Sequence, residues 1–364
     1  VLTRGARRRA RGRRQARHGE QILSAGRRRR RRGAGLGRTA TIAFVLALAA
    51  AGVFAALSLR NPHDVPERAA ARAGVERLTT PGFERPPAQE VVGPLPDPPG
   101  AARVDLDRPA LLAHLHLHPA PAAGLAFDLA DGRVLWRDGA TRVRPIASLT
   151  KLMTGLLAVE RFGDRNRVRI PKAAEQVSVT HMGGLKAGVR VRAGVLLQGL
   201  MISSGNDAAV TLAVGGAGSE RAWVQRMNRR AQLLGLSCTH YADASGLDPR
   251  DRSCPADLAA LAVRAMAEPR LRRIARMRSV RVWPGKGEKV TLRTTNHLLR
   301  EHYPGAVGLK TGYTLAAGHC LVAIIQRGPR RIGIVLLGSK IDAFRDARRI
   351  AREIARAGAI APAA

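Results

Sequence analysis

Three short clusters in this chain hold side chains that could attack a carbonyl carbon and manage the protons involved. The first is Ser148-Leu-Thr-Lys151, at the start of a stretch with helical spacing. A separation of three puts hydroxyl and amine on one helical face, within about a turn. A serine hydroxyl is a weak nucleophile until a base takes its proton. A lysine can be that base where burial or a neighbouring cation lowers its pKa, and helix N-terminal amides near Ser148 favour developing negative charge. The second cluster, Ser204-Gly205-Asn206, follows an apolar helix ending at Ser203. A hydroxyl and a carboxamide on a tight turn can relay a proton and hold a peptide amide; taken alone, the three residues read as a helix C-cap. In the third, Lys310-Thr311-Gly312, a cation and a hydroxyl on a strand make a carboxylate clamp. Gly312 would let a substrate backbone approach closely. Alone, this too reads as ordinary surface strand.

These groups need elements to hold them. Residues 124–128 and 133–137 are short apolar runs around Asp131-Gly132, a hairpin signal. Leu149, Leu152, Met153, Leu156 and Leu157 give residues 148–160 a helical stripe. Helices are also predicted over 192–203, 220–235, 256–267 and 343–357, and strands over 320–326 and 332–338 around Gly328-Pro329. Strands at both ends with helices between them predict one sheet built from the two termini of the domain, covered by a helical region.

Together, in this order and about 55 and 105 residues apart, the clusters resemble the Ser-x-x-Lys, Ser-Asp-Asn and Lys-Thr-Gly set of penicillin-binding proteins and class A β-lactamases. The middle element is Ser-Gly-Asn here. The wider text resembles the D-alanyl-D-alanine carboxypeptidases, the low-molecular-mass serine penicillin-binding proteins. Ile146-Ala-Ser-Leu-Thr-Lys-Leu-Met-Thr154 is similar to their nucleophile helix, Ser204-Gly-Asn-Asp-Ala-Ala209 to their second motif and Lys310-Thr-Gly-Tyr-Thr314 to their third. Met227-Asn228, Leu234-Gly235, Ser245-Gly-Leu247 and Thr295-Asn296 also fit, and the resemblance covers roughly residues 120–340.

The resemblance implies an α/β (α+β) fold of the β-lactamase/DD-peptidase type: an antiparallel five-stranded sheet flanked by helices, with a helical subdomain. It implies that Ser148 is acylated, Lys151 is its general base and Ser204 passes a proton to the leaving D-alanine. Asn206 would bond the stem-peptide amide, Lys310 would supply positive potential and Thr311 would grip the terminal carboxylate. The backbone N–H groups of Ser148 and Tyr313 would form an oxyanion hole, worth about 3–4 kcal/mol per donor in other hydrolases. No metal or organic cofactor is implied. The partners it implies are peptidoglycan stem peptides, with β-lactam antibiotics as inhibitors.

His319-Cys320-Leu321 after Ala317-Gly318 also resembles the related D-Ala-endopeptidases, which cut cross-links, so carboxypeptidase and endopeptidase both stay open. A β-lactamase needs a base for rapid deacylation, a glutamate in class A enzymes. No Glu occurs over 221–267, where one would be sought. Many relatives carry a C-terminal β-domain and an amphipathic membrane helix, whereas about 24 residues follow Lys340 here, and an N-terminal anchor is expected to replace them.

The chain has 364 residues and a net charge of +35, but aromatics are only 3%. Few rings are available for base stacking, so a nucleic-acid partner is not expected. Residues 1–38 hold fifteen Arg and one acid, with six consecutive arginines at 27–32, and read as a disordered cytoplasmic tail. Residues 39–59 are uncharged and span roughly 31 Å as a helix, one hydrocarbon core. The positive-inside rule puts the tail in the cytoplasm and everything after Leu59 outside, giving a single-pass cell-membrane protein with an extracytoplasmic catalytic domain. Residues 60–100, with nine of the 21 prolines, read as a semi-rigid linker to a peptidase domain over 101–364.

Only seven of the 62 basic residues are Lys, so each surviving Lys hints at a need for a compact or deprotonatable amine. His114, His116 and His118 alternate; on a strand they would share a face, the pattern of a metal site. No second ligand cluster accompanies them, which favours a solvated or packed face. Cys238 and Cys254 read either as a disulfide or as small packed apolar residues, and Cys320 as buried and inert.

Overall fold

The computed structural model describes residues 104–285 and 287–360. The Arg-rich tail, the apolar run and the proline-rich linker lie outside the described residues. Among those described, no helix is long and apolar enough to cross a membrane.

The sheet is built as expected from the two ends of the domain. β1 (Ala123–Asp128) and β2 (Val134–Asp138) form the first hairpin; β3 (Ala306–Thr314), β4 (Gly318–Arg327) and β5 (Arg330–Ser339) form a meander. The antiparallel order is β2-β1-β5-β4-β3, so β5 returns to pair with β1 in the centre and β3 forms one edge. Alternate residues sort onto two faces, as a pleated strand requires. Leu125, Phe127, Val322, Ile324, Val335 and Leu337 face the main helical region. Ala126, Leu321, Ala323, Ile325, Ile334 and Leu336 face the opposite side. The last helix, Ala343–Arg356, covers that second face with Ala343, Ala347, Ile350, Ala351 and Ile354, an apolar stripe at helical spacing.

The helical region is organised around α1 (Lys151–Arg161), whose residues 151–158 are all buried. α2 (Ala193–Ile202), α3 (Asn206–Ala217), α4 (Glu220–Leu233), α5 (Pro255–Ala267) and α6 (Pro269–Ala275) surround it. Two details differ from the sequence reading. Ser148 lies in a 3-10 turn, Ala147–Thr150, and the α-helix proper begins at Lys151. Ser204-Gly205-Asn206 does not simply end a helix: it joins α2 to α3, with Ser204 at φ +60 and Asn206 as the first residue of α3.

The alternating histidines are not on a strand. Residues 111–118 form turns and coil, with Leu112 and Leu117 buried and His114, His116 and His118 exposed. The leucines anchor this segment to the second core, and the Trp136 indole donates to the Leu115 carbonyl at 2.9 Å. The solvated reading holds. Cys238 and Cys254 are joined as a disulfide with Cα atoms 5.5 Å apart. Cys320 is buried and burial pushes its thiol up to about 11, which keeps it inert.

Candidate active site

Ser148 is brought to the helical region's contact with the sheet edge by ties on both sides. Arg144 and Pro145 pair with Ser253 and Arg252, and the Ile146 N–H donates to the Asp251 carbonyl at 3.1 Å. After the serine, the Thr150 hydroxyl donates to Asp251 Oδ2 at 3.1 Å. Asp251 therefore grips the chain before and after the nucleophile. Its carboxyl is pushed up to about 8 by burial and by the charge of Asp243.

The Lys151 amine lies 2.8 Å from Ser148 Oγ, 2.6 Å from Asn206 Oδ1 and 2.5 Å from the Ser245 carbonyl. The carbonyl accepts only, and Asn206 presents its own oxygen because its Nδ2 donates to the Val179 carbonyl at 2.8 Å. A neutral amine can satisfy both with its two N–H bonds, which leaves its lone pair for the serine proton. Burial lowers the Lys151 pKa to about 7, against the opposing pull of Asp243, Asp251 and Asp207. The amine is thus poised near neutrality, where a general base works best.

Lys310 Nζ donates to Ser204 Oγ at 2.8 Å and to the Thr311 carbonyl at 2.9 Å. It is also buried, and burial first and Lys151's charge second push it well below its ordinary value. The Thr311 hydroxyl lies 2.6 Å from that of Thr295. Tyr313 is 56% exposed and its ring rests on His319 with centroids 4.7 Å apart. Ser148 is the second residue of its turn, so helix geometry leaves its N–H without a partner inside the turn.

All eight residues singled out from the sequence therefore fall on three adjoining pieces: the 3-10 turn with α1, the Ser204 junction, and strand β3. Gly312 also has a reason within the fold. A Cβ there would stand 3.0 Å from the Ile146 carbonyl oxygen, 3.1 Å from Ser148 N and 3.2 Å from Ala147 Cβ. The glycine lets the strand press against the nucleophile's own turn.

The sequence reading matched Ser245-Gly-Leu247 and Met227-Asn228 to the family but gave no role to the loop that they belong to, which closes the site from behind. Asp243 accepts from the backbone N–H groups of Ser245, Gly246, Leu247 and Asp248 and from the Ser245 hydroxyl. This folds the loop so that the Ser245 carbonyl meets Lys151. Gly246, at φ +88, packs where a Cβ would lie 2.0 Å from the Ala147 carbonyl oxygen. Asn228 and Glu220 support the same loop. The Asn228 carboxamide pairs with both backbone groups of Tyr241, and Glu220 accepts from Ala244 N–H at 3.1 Å. Two acids flanking a Ser-Gly turn were the available signal; an aspartate receiving successive N–H groups is a common turn device.

Among the described residues, the one cluster of candidate metal ligands is already satisfied. Cys238, Cys254 and Asp257 come together, but the sulfurs are bonded to each other and Asp257 Oδ2 accepts from Cys238 N–H and the Thr239 hydroxyl.

Residues 117–341 match the family model described as D-alanyl-D-alanine carboxypeptidase. The chain is 30% identical over 257 residues to the D-alanyl-D-alanine carboxypeptidase DacF of Bacillus subtilis, an alignment covering 69% of this chain and 64% of that protein. It is 34% identical over 250 residues to the D-alanyl-D-alanine endopeptidase of Pseudomonas aeruginosa, covering 64% of this chain and 76% of the relative. Among solved structures, the D-alanyl-D-alanine carboxypeptidase of Mycobacterium tuberculosis superposes with a TM-score of 0.61 at 32% identity, over 65% of this chain and 92% of that one.

Proposed function

The chain belongs to the D-alanyl-D-alanine carboxypeptidase family, and from that premise we propose that it removes the terminal D-alanine of peptidoglycan stem peptides through an acyl-enzyme on Ser148. The observation that carries this reading is the buried Lys151 amine 2.8 Å from Ser148 Oγ, with its pKa brought to about 7. Lys151 takes the serine proton as Oγ attacks the carbonyl between the two D-alanines. The Ser148 and Tyr313 N–H groups stabilise the oxyanion. Ser204, bonded to Lys310, delivers a proton to the departing amine, and a water then hydrolyses the ester.

Lys310 and Thr311 receive the substrate's terminal carboxylate. An arriving anion favours the protonated form of Lys310, offsetting the burial that otherwise disfavours it. Asn206 orients Lys151 and keeps one N–H for the peptide amide.

A β-lactam presents a strained amide to the same groups, so a penicillin should acylate Ser148 and remain as a stable ester. Mass spectrometry after proteolysis should place one adduct on the peptide containing Ser148, and Ser148→Ala should carry none. An adduct on another residue would refute the mechanism.

The similarity to the Pseudomonas endopeptidase supports a second reading, cleavage of cross-linked peptides by the same chemistry. Release of D-alanine from diacyl-Lys-D-alanyl-D-alanine against cleavage of muropeptide dimers separates the two.

The reading also includes an uncleaved anchor at residues 39–59, the Arg-rich tail in the cytoplasm and the peptidase domain outside. It is supported by the length of the uncharged run and by the arginines before it. Protease shaving of spheroplasts should remove the catalytic domain from the membrane fraction; its protection would reverse the orientation.

A further inference from the structure

The chain carries a second feature, apart from the three motif clusters, with no role in the chemistry above. A short two-stranded ribbon pairs Arg167–Arg169 with Arg190–Arg192 in antiparallel register, Arg167 opposite Arg192 and Arg169 opposite Arg190. Val168 and Val191 point inward and are buried, so the four arginines share the outer, exposed face. Directly opposed like charges destabilise a strand pair, and two such pairs stand here side by side.

Nothing in the described protein neutralises them. None of the four makes an ion pair among the described residues, and the nearby Asp164 is engaged by Arg270 and Arg273. The ribbon also borders an open cleft of about 720 Å³. Arg167, Arg169, Arg190 and Lys172 line it together with apolar residues that include Phe162 and Val214.

We infer that this ribbon and cleft bind a flexible linear polyanion bearing phosphodiester groups and no bases. The guanidinium forks suit phosphate oxygens bidentately. Two cations across the ribbon and two along it, about 6.6 Å apart on one strand, offer a run of charges to a chain rather than a point site for one ion. Two other anionic surfaces fit less well. Among the described residues no large exposed apolar side chain lies on the ribbon, so nothing is placed to enter a bilayer. No exposed aromatic ring stands there to stack a base; Phe162 is buried.

The test uses the full chain and a synthetic glycerol-phosphate decamer, at about 0.15 M salt. The variant replaces all four arginines, R167Q, R169Q, R190Q and R192Q, none of which touches the Ser148 site. Affinity should fall at least about tenfold, with a shallower dependence on salt. Penicillin acylation should stay unchanged. Without the decamer, the variant should melt at a higher temperature than the parent, because the opposed charges are gone; with it, only the parent should gain. Equal affinity of parent and variant would place binding on the Arg-rich residues 1–38 and overturn the inference. Tighter, ribbon-dependent binding of oligo(dT) or of phosphatidylglycerol vesicles would overturn the choice of ligand.

Discussion

Replacing Lys151 by arginine should abolish acylation by penicillin, while replacing Lys310 by arginine should leave part of it. The two lysines are both buried and cationic when protonated, yet the proposed mechanism gives them different tasks. To act as the base Lys151 must lose its proton, and the neutral amine can still meet its three neighbours with two N–H bonds and one lone pair. An arginine keeps its charge at any working pH and cannot accept the serine proton. Loss of a general base costs roughly 10²–10⁴ in rate, and a guanidinium has no extra room at a fully buried position. Lys310 has only to present a cation to Ser204 and to an arriving carboxylate, which arginine can do imperfectly.

A pH series on the parent protein gives a second reading that does not depend on the variant folding. Lys151 is active when neutral. The acylation rate should therefore climb about tenfold per pH unit below the midpoint and level off above about 7. In Lys310→Arg, a permanent cation beside Lys151 should shift that midpoint downward. Stopped-flow measurement with a fluorescent penicillin reads both. Near-parental acylation in Lys151→Arg, or a flat profile between pH 5.5 and 8, would sink the assignment of the base.

The parts of this site legible in sequence were those where side-chain type and spacing are the chemistry. Ser148 and Lys151 must sit a turn apart, and Lys310 must stand on an edge strand. The sheet was legible because its strands alternate or run apolar between clear turns. What escaped was set by tertiary packing. Ser204-Gly205-Asn206 has the composition of a C-cap, and only the buried face of α3 (Ala208, Ala209, Leu212, Ala213) shows that a second helix starts there. The role of Gly312 depended on which backbone lies behind it, which no local pattern reports. Asp243 and Asp251 belong to no motif; their function comes from burial and from the N–H groups that the loop turns toward them.

Asp243 should be the most sensitive residue outside the three motif clusters. Replacing it with asparagine keeps the shape but places an amide NH₂ against backbone donors, because both carboxylate oxygens are in use: Oδ1 by Ser245 and Gly246, Oδ2 by Leu247 and Asp248. The loss should be at least about 3 kcal/mol, since charge-assisted bonds to a partly buried carboxylate are worth about 1.5–3 kcal/mol each and are not fully additive. The loop's ends stay fixed by the Cys238–Cys254 disulfide and by the Asp251 bonds to Ile146 and Thr150, so the change should be local. Locally it removes the Ser245 carbonyl from Lys151 and loosens Gly246 against the nucleophile's turn. A displacement of about 1 Å there should cost roughly 10² in acylation rate.

Asp251 supplies a signature that simple loosening would not produce. Its folded pKa, about 8, lies above its unfolded value, so the native chain holds a proton that the unfolded chain has released. That contribution to stability is complete below pH 4 and is lost as pH rises toward 8. Burial is the larger cause and Asp243's charge the second. In Asp243→Asn the second cause is gone, the folded pKa falls, and the decline in stability between pH 5 and 7 should be shallower than in the parent. Denaturant titrations at those two pH values, beside acylation rates, test both halves. Acylation within threefold of the parent, with an unchanged pH slope, would mean that Asp243 neither holds the Ser245 carbonyl on Lys151 nor sets the proton affinity of Asp251.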